Sequence, residues 1–118
     1  MTFLEAIRRA NGLRPNDIPD AVKAEWLYAL EAEFAELHGV PVPQNPFPDP
    51  FPDDGELLTP YPYDECYPLF LAVRIDAANE ETALWQNDAA FADDAIARAK
   101  AFWRRTHLPE HKDRWRGL

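Results

Sequence analysis

Apolar residues return every three or four positions in four stretches of the chain, and each stretch predicts a helix. Phe3, Leu4, Ile7 and Ala10 form the first stripe. Thr2 and Glu5 stand ahead of it at capping-box spacing, and Asn11-Gly12 marks its expected end. The second period runs through Val22, Trp26, Leu30, Phe34 and Leu37. Pro19 suits its first turn, where an N–H would have no helical partner, and Gly39 is a natural stop. The third opens at Asp64, a side chain suited to the N-cap, and carries Leu69, Phe70, Leu71, Val73 and Ile75 towards Asn79. Pro68 falls early enough to remove one or two backbone bonds without breaking the element.

The fourth stretch extends from about Glu80 to Thr106 and is ended by Leu108-Pro109. Leu84, Trp85, Ala92, Ala95, Ile96, Ala99, Phe102 and Trp103 are expected on its inward face. Its acids come early and its bases late, the order a helix dipole favours. No segment alternates with period two, and no repeat appears. The expected fold is all-α: a small antiparallel bundle of about four helices, with residues 1–109 as one domain and 110–118 as a basic C-terminal tail.

Between the second and third helices the pattern stops. Eight of the 12 prolines lie between Pro41 and Pro62, a density that neither a helix nor a central strand tolerates. In polyproline II geometry the segment would reach ~60–70 Å at ~3.1 Å per residue, far beyond the ~13 Å radius of gyration of a domain this size. Phe47, Phe51, Leu57, Leu58, Tyr61 and Tyr63 make it too apolar for a solvated linker. It is expected to pack, either across its own bundle or against a neighbouring copy.

Composition narrows the class. A chain of 118 residues that is 47% hydrophobic and 28% charged has room for one domain with a real core. No run approaches the ~18 apolar residues of a membrane span, and no basic region precedes an apolar stretch, so neither a span nor export is expected. The net charge of −9 disfavours a general nucleic-acid binder. Divided by position it says more: residues 1–97 sum to −14 and residues 98–118 to +5. An acidic body with a basic end is a cue for an interaction tail, and Trp115 between Arg114 and Arg116 has the composition of an interface hot spot. Arg98, Lys100, Arg104 and Arg105 around Trp103 could contact phosphates and stack on a base, but the acidic body opposes a polyanion.

Few residues suggest chemistry. His107 and His111 have a helical metal-ligand spacing that Pro109 disrupts. Asp49, Asp53, Asp54 and Glu56 lack the alternating ligands of a calcium loop and read better as a solvated turn. Cys66 has no local motif that sets a base beside it, and reads as a small core residue. The four glycines form no phosphate-cradling loop.

The stretch from Glu56 carries Glu56-Leu57-Leu58, then Pro60-Tyr61-Pro62-Tyr63-Asp64-Glu65, Tyr67, Leu71, Ile75-Asp76 and Asn79, and closes on Arg105-Thr106-His107-Leu108-Pro109. It resembles a family of small helical proteins encoded among the structural genes of tailed phages and prophages of Gram-positive bacteria, the head–tail connector or adaptor proteins. Phe3-Leu4-Glu5-Ala6-Ile7 and Lys23-Ala24-Glu25-Trp26-Leu27 look similar too. Pro68, Trp85, Phe91 and the length of the proline-rich run depart from the family pattern.

The resemblance implies a non-enzymatic particle component, without cofactor or metal, that forms a ring beneath the portal and links capsid to tail. It implies a C-terminal segment docking on the portal, which makes Arg104, Arg105, Arg114, Trp115 and Arg116 the docking candidates. It also implies a long loop meeting the adjacent subunit, which makes Phe47, Phe51, Leu57, Leu58, Tyr61 and Tyr63 the inter-subunit candidates. The implied partners are the portal protein, neighbouring neck and tail proteins, and further copies of the chain, a dodecamer in the virion and a monomer in isolation. DNA would pass through without sequence-specific contact, and no membrane is involved. The implied location is the virion neck, reached from the bacterial host cytoplasm during assembly. A competing reading from the residues alone is a soluble adaptor or regulatory module that offers its proline-rich segment to an aromatic groove.

Overall fold

The computed structural model describes residues 1–41 and 55–106. Four helices make up the fold: α1 (Phe3–Leu13), α2 (Asp20–His38), α3 (Cys66–Ala78) and α4 (Thr82–Thr106), with a short 3-10 turn at Tyr63–Glu65 leading into α3. Among the described residues there is no strand, only an isolated antiparallel bridge between Thr2 and Glu56. The all-α bundle read from the sequence is the observed fold.

The capping box of α1 is formed: the Glu5 amide donates to Thr2 Oγ1 at 3.1 Å and the Thr2 amide to Glu5 Oε1 at 3.3 Å. Phe3, Ala6, Ile7 and Ala10 are its buried stripe. The turn into α2 is built by Asn16, whose Oδ1 accepts from the Ile18 amide at 3.0 Å while its Nδ2 donates to Asn11 Oδ1, also at 3.0 Å. In α2 the buried stripe differs from the expected one. Ala24, Leu27, Leu30, Phe34 and Ala35 point inward together with Lys23 and Glu31, whereas Val22, Trp26 and Leu37 lie half-buried at its edges. The stripe turns because two charged residues find partners inside. Lys23 Nζ donates to Asn11 Oδ1 at 2.7 Å, and Glu31 is bound as described below. Gly39 ends α2 at φ 82°, a left-handed position that suits glycine, with its N–H turned back to the Ala35 and Glu36 carbonyls.

Asp64 is not the N-cap of α3. It lies in the 3-10 turn, which itself delivers the chain to Cys66, and its carboxylate stands 3.7 Å from the Met1 amine. Pro68 is the third residue of α3, inside the first turn, where its missing N–H has no helical acceptor to lose. Around the α3–α4 corner the Glu81 amide donates to the Asp76 carbonyl at 2.9 Å and the Glu80 amide to the Ala77 carbonyl at 3.2 Å. This is a Schellman closure with Glu80 in the left-handed position at φ 59°.

Leu84 and Trp85, expected inside, are exposed at 40% and 41%. Residues 77–87 are exposed on every side, so the α3–α4 hairpin projects past α1 and α2 and leaves nothing for these two side chains to enter. Burial on α4 begins at Asp88 and continues through Ala92, Ala95, Ala99 and Trp103. No helix among the described residues is long and apolar enough to cross a membrane.

Candidate functional site

The two ends of α4 carry opposite charge. Residues 79–94 contain Glu80, Glu81, Asp88, Asp93 and Asp94 and no basic residue; residues 95–106 contain Arg98, Lys100, Arg104 and Arg105 and no acid. Glu80 and Glu81 stand just ahead of the helix and Arg104 and Arg105 in its last turn, the order its dipole favours. That order also gives the surface two poles.

At the basic end, Arg98 pairs with Asp94 one turn earlier at 3.1 Å, and Lys100 reaches Glu33 on α2 at 2.8 Å. Arg104 is exposed with no ion-pair partner among the described residues. Among the described residues Arg105 donates to the neutral hydroxyl of Tyr63 at 3.4 Å and meets no carboxylate. Tyr63 stacks on Phe102 with ring centroids 5.0 Å apart. Trp103 is turned into the core, 4.4 Å from the His38 ring, and its Nε1 donates to Thr59 Oγ1 at 3.0 Å. A buried Trp103 cannot stack on a base, which removes the aromatic half of the nucleic-acid reading.

Of the remaining candidates, Arg114, Trp115, Arg116, Phe47 and Phe51 lie outside the described residues. Leu57 is part of the chain's own core, and Leu58 is half-buried with its amide donating to Glu31 Oε2 at 2.8 Å. Tyr63 is half-buried against Phe102. The apolar candidates in the described part of the connection thus pack across their own bundle, except Tyr61, which is 86% exposed.

At the acidic end a guanidinium holds two carboxylates. Arg14, extended just past α1, donates from Nε to Asp76 Oδ1 at 3.0 Å, and from one terminal nitrogen to both oxygens of Asp88 at 2.9 and 2.8 Å. The clasp joins the end of α1 to both arms of the hairpin. Asp76 Oδ2 is buried without a donor. Burial, then the hydrogen bond to Asp88 and its charge, push the Asp76 carboxyl up from 3.8 to about 6, against the opposing pull of Arg14. Beside the clasp opens a cleft of about 560 Å³ lined by Asp76, Ala77, Glu80, Glu81, Thr82 and Trp85.

A second polar network crosses the core. Glu31 on α2 accepts the Tyr67 hydroxyl on one oxygen and the Leu58 amide on the other. Tyr67 in turn accepts from the Thr59 amide at 2.9 Å, and Thr59 receives Trp103. Every helix but α1 meets in it. Burial pushes the Glu31 carboxyl and the Tyr67 hydroxyl up. Cys66 is fully buried beside it, its thiol pushed up first by burial and then by the charges of Glu31 and Asp64. Those surroundings are the opposite of what activates a thiolate.

Nothing in the sequence singles out Arg14, Lys23 or Glu31, and Asp76, beside the last turn, and Asp88, on the helix, read there as carboxylates of a wet surface rather than an acid–base pair. A signal existed for one of them: Asp88 stands three residues after Trp85 and four before Ala92, an acid on the apolar phase of α4. The partner fixing it, 74 positions away, has no such signal. Among the described residues no group of three or more histidine, cysteine or acidic side chains is arranged to hold a metal. Asp49, Asp53, Asp54, His107 and His111 lie outside them. The chain matches no protein-family model, no curated protein and no solved structure.

Proposed function

We propose that the chain is a structural head–tail connector of a tailed phage or prophage, a non-enzymatic adaptor that assembles as a ring beneath the portal and links capsid to tail. The observation that carries this reading is the polar build of α4: a rigid helix with an exposed acidic, aromatic tip at one end and an exposed basic end running towards the tail at the other. The all-α bundle and the resemblance from Glu56 to Pro109 support it. In this role Arg114, Trp115 and Arg116 dock on the portal, and the acidic body lines a passage from which DNA is electrostatically repelled. The partners are the portal protein, the adjoining neck and tail proteins and further copies of the chain.

The test is capture of the full chain by the portal protein encoded in the same gene cluster. A chain carrying Arg114→Glu, Trp115→Ala and Arg116→Glu is expected to lose capture while its helical circular dichroism is unchanged. Capture equal to that of the unaltered chain would remove the tail from the interface, and absence of capture by the unaltered chain would refute the connector reading.

A further inference from the structure

We infer that the exposed tip of the α3–α4 hairpin is the docking surface for the basic end of α4 in a second copy of this chain, so that copies join head to tail. The tip is apolar where a monomer gains nothing from it. Leu84 and Trp85 stand at 40% and 41% exposure, and Phe91 is 60% exposed two turns further on. Trp85 forms one wall of the cleft whose other members include Glu80 and Glu81, and neither acid is in an ion pair among the described residues. An indole edged by unpaired carboxylates suits one kind of group, a guanidinium that lies over the ring and donates to the acids.

The chain carries that group at Arg104 and Arg105, both exposed and both free of carboxylate partners among the described residues. They cannot serve their own tip. Trp85 and Arg104 are separated by 19 residues of one helix, about 28 Å at ~1.5 Å per residue, and a helix does not fold back on itself. The complement must come from another copy. Because the two patches differ, the contact is heterologous, and repetition closes a ring or extends a filament. The need for a closed ring rests on the connector reading, but the contact itself can be tested without a portal. It assigns Arg104 and Arg105 to the neighbouring subunit and leaves Arg114, Trp115 and Arg116 to the portal.

The experiment is sedimentation velocity of the full chain over roughly a hundred-fold range of concentration, at low and at high salt, since exposed charge pairs are screened within ~10 Å at 0.1 M. At low salt the weight-average size is expected to rise beyond a dimer, and high salt should weaken the association at least tenfold. Glu80→Lys with Glu81→Lys, or Arg104→Glu with Arg105→Glu, should each abolish association. A one-to-one mixture of the two double variants should restore it. Trp85→Ala should weaken association about tenfold at either salt concentration. All four charged positions are exposed, so circular dichroism is expected to be unchanged. A chain that stays monomeric throughout, association that stops at dimers, or a mixture that fails to associate overturns the inference. Portal capture of the same variants keeps the two ideas separate: variants that no longer self-associate but are still captured as single copies leave the connector reading standing.

Discussion

Replacing Asp76 with asparagine should stabilise the protein about twice as much at pH 8 as at pH 5. Two buried carboxylates face one guanidinium in the Arg14 clasp, and Asp76 Oδ2 has no donor of its own. The folded protein therefore holds a proton on Asp76 up to about pH 6, whereas an unconstrained aspartate releases it near 3.8. A raised pKa gives stability that is complete below the unfolded value and is lost as pH rises through the folded one, here between about 4 and 6. The shift of about two units converts to about 3 kcal/mol, and with the Asp76 side chain 1% exposed little of it is screened by solvent. Asparagine keeps an oxygen for Arg14 Nε and is neutral at every pH. Urea unfolding followed by circular dichroism at pH 5, 6, 7 and 8, at constant ionic strength, gives the difference between variant and native protein at each pH. That difference should grow from about 1.5 kcal/mol at pH 5 to about 3 kcal/mol at pH 8, both in favour of asparagine. Taking the difference cancels the titration of the surface acids. A difference that does not vary with pH, or one that favours aspartate at pH 8, would refute a raised Asp76 carboxyl.

Two further substitutions test the corner and the core. Glu80 holds a left-handed φ of 59° that costs a side-chain-bearing residue about 1–2 kcal/mol, so Glu80→Gly should raise the stability measured by urea unfolding by up to about 1 kcal/mol after glycine's larger unfolded-state entropy is subtracted. Tyr67→Phe removes the hydroxyl that binds both Glu31 and the Thr59 amide, and stranding two buried groups should cost about 3 kcal/mol in the same assay.

The helices were legible because the signals for them are local. Thr2 and Glu5, Gly39 and the three- and four-residue spacing of apolar side chains act within one or two turns; the cap and the stop appear where the sequence places them, and the spacing locates the helices although the buried face of α2 is rotated from the expected one. What misled was the assumption that every apolar residue on a helix has a neighbour to bury it. Leu84 and Trp85 have the right phase, but the hairpin outruns the bundle there, and only the lengths and positions of the other helices decide that. Asp64 has the chemistry of an N-cap and was drawn instead into a 3-10 turn beside Met1, a contact made across more than 60 positions. Lys23 and Glu31 are buried with no local signal that says so, and Asp88 with only its phase, for the same reason. Their partners are remote in sequence, and a buried charge is tolerated only once those partners have arrived.

These buried networks also explain how a core with so many alanines holds one arrangement. Ala92, Ala95 and Ala99 supply most of the inward face of α4 below Trp103, and small side chains permit a helix to slide or rotate with little change in buried area. The two networks do not permit it. At one end Asp88 must meet the guanidinium of Arg14; at the other, the Trp103 N–H must meet Thr59, which is itself held by Tyr67 and Glu31. A shift of α4 by one residue rotates it by about 100° and breaks both. The networks thus fix the axial position and rotation of the one helix whose two ends carry the proposed contacts. The separation of about 28 Å between Trp85 and Arg104 is useful to an assembly only if it is constant. Asp76→Asn, which keeps the clasp closed, should leave the head-to-tail association unchanged at neutral pH, whereas Tyr67→Phe, which loosens the other end, should weaken it.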